Sequence, residues 1–176
     1  MSERNKTQRI SVEVNGSRVT RDVEPRRHLV DFLRESCGLK GSHLGCEHGV
    51  CGACTVRLDG AIVRGCLVLA VQADGRCVET VETATPSPRL RALQEAFIAR
   101  NALQCGYCTP GMLMTALELV EQVPDADRVG VREWISANYC RCTGYHAIVD
   151  AVCDVLAAQR QGAFDGPAAL RSELTP

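Results

Sequence analysis

The chain has 176 residues and carries 20 Lys and Arg against 21 Asp and Glu, for a net charge of -1. So even a balance excludes a basic surface for nucleic acid or for an anionic membrane, and a 4% aromatic content offers little for stacking bases. The opening MSERNKTQR has no apolar core, and no run approaches the ~18 apolar residues needed to span a bilayer, so a cytoplasmic chain without a membrane span is expected.

Ile10, Val12 and Val14 alternate with polar residues, and Asn15-Gly16 is a strong two-residue hairpin signal that returns the chain through Val19 and Val23. Leu29, Phe32 and Leu33 stand at helical spacing between His28 and Ser36, with Gly38 as the stop. A second hairpin is expected from Thr55–Leu58, the turn Asp59-Gly60 and Ala61–Leu67, and a last strand from Arg76 to Val81. Strand, strand, helix, strand pair and strand is the order of a β-grasp ferredoxin.

The run Thr83-Ala84-Thr85-Pro86-Ser87-Pro88 is a proline-rich connection, and beyond it the apolar period becomes helical. Leu90, Leu93, Phe97 and Ile98 mark one helix. Pro110, expected at the first helical position after Thr109, opens a second with Leu113, Met114, Leu117 and Val120 on its apolar side. Val129 to Ala137 forms a third. Ile148, Val149, Val152, Val155 and Leu156 mark a fourth, with Thr143 as its expected N-cap. The fold class is thus α+β, with an N-terminal unit at 1–82, a linker at 83–88, a helical unit at 89–160 and a Gly-, Ala- and Pro-rich tail at 161–176.

Eleven cysteines in a reducing compartment read as metal ligands, and an odd number fits poorly with a closed disulfide framework. Cys46, Cys51 and Cys54 follow the C-x4-C-x2-C spacing of plant-type [2Fe–2S] proteins, with Cys66 at the end of a hairpin strand as the fourth thiol. Four thiolates need inward-facing N–H donors, which the small residues Gly41, Gly45, Gly49, Gly52 and Ala53 permit. Structural zinc is the alternative, but it usually brings two short knuckles rather than this triplet.

Cys105 and Cys108 form a C-x2-C pair, and Cys140 and Cys142 a C-x-C pair. Alone, C-x2-C equally describes a redox dithiol or half a zinc site; the one-residue gap of the other pair is unusual for zinc. Both pairs precede expected helices, whose N-termini should lower the thiol pKa values.

GCEHGVCGACTV at 45–56, LQCGYCTPGM at 103–112 and YCRCTGY at 139–145 together resemble the signature segments of the small iron–sulfur subunit of molybdenum hydroxylases. This is the family of xanthine dehydrogenase, aldehyde oxidoreductase and carbon monoxide dehydrogenase, and the resemblance runs from about residue 9 to residue 160. It implies a β-grasp ferredoxin-like domain followed by a four-helix-bundle domain, each with one [2Fe–2S] cluster. Cys46, Cys51, Cys54 and Cys66 would hold the cluster nearer flavin; Cys105, Cys108, Cys140 and Cys142 would hold the one nearer molybdenum. The resemblance also implies a large subunit bearing molybdopterin in its cytosine dinucleotide form and a medium subunit bearing FAD, in a heterotrimer or a dimer of heterotrimers. Electrons would pass from molybdenum through both clusters to flavin, with Gln104 and Cys142 approaching the pterin and no catalytic residue in this chain. A free two-cluster ferredoxin and a zinc-stabilised interaction module are the competing readings.

Cys37, Cys77 and Cys153 lie outside both sets and are expected to be small buried apolar residues. His43 and His48 fall in the first loop, but four cysteines already complete that set. Arg141, between two thiols, either offsets cluster charge or faces solvent. Met112 and Met114 are expected in the core.

Overall fold

A computed structural model of the chain describes residues 7–83 and 86–164. The first half is a five-stranded mixed sheet in the order β2-β1-β5-β3-β4. Strands β1 (Gln8–Val14) and β2 (Ser17–Val23) form the first antiparallel pair. Asn15 and Gly16 turn between them at φ 50° and 79°, the left-handed pair that a two-residue hairpin requires. The alternation seen in the sequence becomes an inner face: Ile10, Val12 and Val14 are buried.

A helix, α1 (Leu29–Asp31), runs into a wider turn over Phe32–Ser36, where the Cys37 N–H reaches back to Phe32 O at 3.1 Å. Gly38 stops it at φ 74°, and the Leu39 N–H closes on Leu33 O at 2.9 Å. Phe32 and Leu33 are fully buried against the sheet, contributing about 1.5–3 kcal/mol each.

Strands β3 (Thr55–Leu58) and β4 (Ala61–Arg64) make the second hairpin. β4 ends earlier than its sequence suggests, so Cys66 sits two residues beyond it in a turn. A tight turn over Ala70–Ala73, without a clear signal in the sequence, lies between this hairpin and β5 (Cys77–Glu79). β5 is shorter than expected and pairs parallel to β1 and antiparallel to β3.

The second half holds α2 (Pro88–Ala99), α3 (Thr109–Gln122), α4 (Arg128–Ile135) and α5 (His146–Arg160). α2 packs on α3 and α5, and α4 on α3 and α5. Leu93, Phe97, Met112, Leu119, Ile135 and Leu156 are buried in a core separate from that of the sheet. Met112 lies in this core as expected; Met114, at 2% exposure, is also buried. Ile98 is not part of it: it is 70% exposed on the outer side of α2.

Two helix starts differ from expectation. Thr109, not Pro110, is the first residue of α3, and Cys108 holds its N-cap position. The N-cap position of α5 belongs to Tyr145, at φ 69°, rather than to Thr143. Thr143 Oγ1 accepts the Tyr145 N–H at 3.1 Å and so braces the turn before the helix instead. Among the described residues no helix is long and apolar enough to cross a membrane. Most of the expected tail, from residue 165 onward, and residues 84–85 of the expected linker lie outside the described residues.

Candidate metal centre

The expected thiols of each half approach one another. In the first loop the Cys51 backbone N–H points at Cys46 Sγ over 3.4 Å. Cys54 and Cys66 are buried together with Val30. In the helical half Cys142 Sγ lies 3.5 Å from Cys105 Sγ, which brings together one thiol from the C-x2-C segment and one from the C-x-C segment.

These thiols sit in unlike electrostatic surroundings. Backbone N–H groups of Cys51, His48 and Val50 draw the Cys46 thiol down to about 6. Burial pushes Cys54 up to about 12, and burial together with the Cys140 sulfur does the same to Cys108. Loss of water pushes the half-buried Cys140 up, yet the Thr143 hydroxyl and the Thr143 and Cys142 backbone together bring its thiol below the ordinary value. The helix N-termini therefore do not lower these thiols uniformly. Cys108 occupies a cap position, but loss of water outweighs the helix dipole there. Cys142 stands three residues ahead of the Tyr145 cap, outside the reach of α5's first turn.

Each half thus offers four thiols, the number that a [2Fe–2S] cluster takes, two on each iron.

The two sets adjoin. Cys51 of the first set and Cys105, Cys108, Cys140 and Cys142 of the second border one cleft of about 190 Å³. Tyr139, next to Cys140, donates its N–H to Cys51 O at 2.8 Å. Tyr107, next to Cys108, donates its hydroxyl to Leu44 O at 2.8 Å and stacks on His43 with ring centres 4.6 Å apart. Below them Arg57 of β3 pairs with Glu121 of α3.

Two family models match the chain in tandem. Residues 12–79 match the 2Fe-2S iron-sulfur cluster binding domain, and residues 78–153 match the [2Fe-2S] binding domain. The small subunit of nicotine 6-hydroxylase from Paenarthrobacter nicotinovorans is 55% identical over 145 residues, 82% of this chain and 87% of that protein. The gamma subunit of caffeine dehydrogenase from Pseudomonas sp. (strain CBB1) is 50% identical over 149 residues, covering 83% and 89% of the two chains. The chain belongs to the [2Fe–2S] small subunits of the molybdenum hydroxylase family. A chain of quinoline 2-oxidoreductase from Pseudomonas putida 86 superposes with a TM-score of 0.81 at 52% identity, over 90% of this chain and 99% of that one. As a molybdenum hydroxylase small subunit, the protein is a non-catalytic part of an oxidoreductase complex.

Within this iron–sulfur subunit the remaining expected residues find definite places. Gln104 donates its side-chain amide to Cys142 O at 3.1 Å, so it braces the C-x-C segment. His43 Nδ1 is bonded to Tyr107 O at 2.8 Å and His48 Nδ1 to Cys46 O, which makes both loop braces. Arg141 is exposed at the rim of the cleft. Cys37, Cys77 and Cys153 are half-buried rather than fully buried. Cys37 and Cys153 lie at the edges of the two cores, while Cys77 Sγ faces Glu13 at 3.8 Å.

Sequence reasoning passed over four residues that hold the two loops together: Arg64, Thr115, Asn138 and Tyr145. Tyr145 lies inside a motif segment and Asn138 just before it, but neither type signals a bracing role until its partners are known.

Proposed function

We propose that this subunit carries two [2Fe–2S] clusters, one on Cys46, Cys51, Cys54 and Cys66 and one on Cys105, Cys108, Cys140 and Cys142. The meeting of the two helical-half segments carries the reading: Cys105 and Cys142, 37 residues apart in the chain, bring their sulfurs to 3.5 Å, as ligands of one cluster would. Each cluster supplies one-electron redox chemistry at thiolate-bound iron. The chain's own part is to hold the two sites a short span apart. The Tyr139 N–H to Cys51 O bond leaves one hydrogen bond and a few covalent bonds between Cys140 and Cys51.

The domain reading follows the same line. A ferredoxin-like unit at 1–82 and a four-helix-bundle unit at 89–160 would each contribute one loop set, joined by the linker at 83–88. In the assembled enzyme the subunit would relay electrons from molybdopterin in a large subunit to FAD in a medium subunit. Gln104 and Cys142 both lie on the exposed side of the second set, where a pterin-bearing partner would approach. Relatives named for nicotine, caffeine and quinoline point to an N-heteroaromatic substrate for the partner. Its site of action would be the cytoplasm.

The test is low-temperature EPR of the dithionite-reduced chain, with iron and acid-labile sulfide counts and affinity purification from a host expressing the neighbouring subunits. Two distinct signals with about four irons per chain, and recovery with a molybdenum-containing and a flavin-containing partner, are expected. Zinc in place of iron would end the electron-transfer reading.

A further inference from the structure

Asn138 is fully buried, and both heteroatoms of its side chain are engaged. Nδ2 donates to Gly52 O at 3.0 Å. Oδ1 accepts from Thr115 Oγ1 at 2.9 Å and from Arg64 Nη1 at 3.2 Å. Its own carbonyl accepts the Tyr145 hydroxyl at 3.2 Å, and the oxygen of that hydroxyl accepts the Cys140 N–H at 2.8 Å. Asn138 thus stands two residues before a thiol of the second set while its side chain grips the residue after Cys51 in the first. The fit is tight: at Gly52, where φ is 75°, a Cβ would lie 2.5 Å from Asn138 Cγ.

We propose that Asn138 is a positioning residue for the cluster on the first cysteine set, reaching it from the other half of the chain. The inference rests on the two-cluster reading above. Gly52 O is held by Asn138 and also by the Thr55 hydroxyl at 2.6 Å, which fixes the peptide between Gly52 and Ala53. In a trans peptide the C=O and N–H point in opposite directions. Turning Gly52 O toward Asn138 therefore turns the Ala53 N–H away from Asn138, in the segment between Cys51 and Cys54. Backbone dipoles and hydrogen bonds around cluster sulfurs set the reduction potential. Through this peptide a side chain of the helical half sets the potential and spectrum of a cluster in the sheet half.

The decisive variant is Asn138→Asp in the full chain with its clusters. It keeps the side chain's size and the oxygen held by Thr115 and Arg64, and it replaces the donor to Gly52 O with a carboxylate oxygen that repels it. Loss of Cys46 in a Cys46→Ser chain identifies which EPR signal belongs to the first set. In Asn138→Asp that signal should change its g-values and its midpoint potential should fall by more than the added carboxylate charge lowers the second-set midpoint, while the iron count stays near that of the unmodified chain. An unmoved first-set signal, or a first-set midpoint that falls no further than the second-set one, would overturn the proposal, because a residue needed only for packing would alter cluster occupancy and leave the spectrum of the remaining clusters unchanged. Should Asn138→Asp hold no iron, Thr115→Val decides: it loosens Oδ1 alone, and a smaller shift in the same direction is expected, no shift being fatal. An unmodified chain without two clusters would instead defeat the two-cluster reading itself.

Discussion

A Cβ placed on Gly111, in the first turn of α3, would lie 2.1 Å from the carbonyl oxygen of Gly52 in the first cysteine loop. The helix and the loop therefore meet backbone to backbone, with no side chain between them. This contact sets how near the second cysteine set can come to the first.

Gly111→Ala should be costly because the opposing atom is main chain and cannot rotate aside. Overpacking of this kind costs about 1–3 kcal/mol, or a melting point lower by roughly 2–10 °C for a chain of this size. Gly130→Ala in α4 is the control, since its Cβ would meet nothing nearer than Asp127 Oδ1 at 3.4 Å and Ala126 Cβ at 3.9 Å. Alanine there should be neutral or stabilise by up to about 1 kcal/mol. Thermal melts of the two variants should move in opposite directions or differ by several degrees; equal losses would contradict the contact.

Single Cys→Ser changes should act set by set. Cys105→Ser is expected to cut iron from about four to about two per chain and to remove one EPR signal. Cys54→Ser should remove the other. A variant of either cysteine that erased both signals would mean the sites do not form independently.

The ion pair between Arg57 and Glu121 joins β3 to α3, and Arg57 is only 9% exposed. Glu121→Ala leaves that guanidinium with Glu79 at 3.8 Å as its remaining partner. An underpaired, nearly buried cation should cost about 2 kcal/mol, read as a lower denaturant midpoint at unchanged slope. Glu121→Gln should recover part of the loss by keeping a hydrogen-bond acceptor.

Thiol reactivity in the iron-free chain should separate the cysteines by pH. Backbone donors, chiefly the Cys51 N–H, hold Cys46 near 6, so its thiolate forms as pH rises through about 6 and persists above. Burial keeps Cys54 and Cys108 near 12, so both stay protonated through neutral and mildly alkaline pH. Mass-resolved alkylation at pH 7 should therefore label Cys46 first, and Cys54 and Cys108 last. Equal rates at the three sites would contradict these environments.

What the sequence determined by itself was local. Alternation at Ile10, Val12 and Val14, the Asn15-Gly16 and Asp59-Gly60 turns, and the helical periods beyond Ser87 led to the element order because each depends on neighbours within a few residues. The cysteine spacings suggested two sets of four thiols for the same reason, since a loop of fixed length limits which thiols can share a site. The tertiary structure alone brought the Cys105 and Cys142 sulfurs to 3.5 Å. It also made Tyr145 rather than Thr143 the residue at the start of α5, and it turned Asn138 into a brace for Gly52 86 residues away. It set the thiols' acidities as well, raising Cys108 where a helix N-terminus pointed the other way. Burial, close backbone approach and desolvation are properties of residues distant in the chain brought together, and no local pattern encodes them.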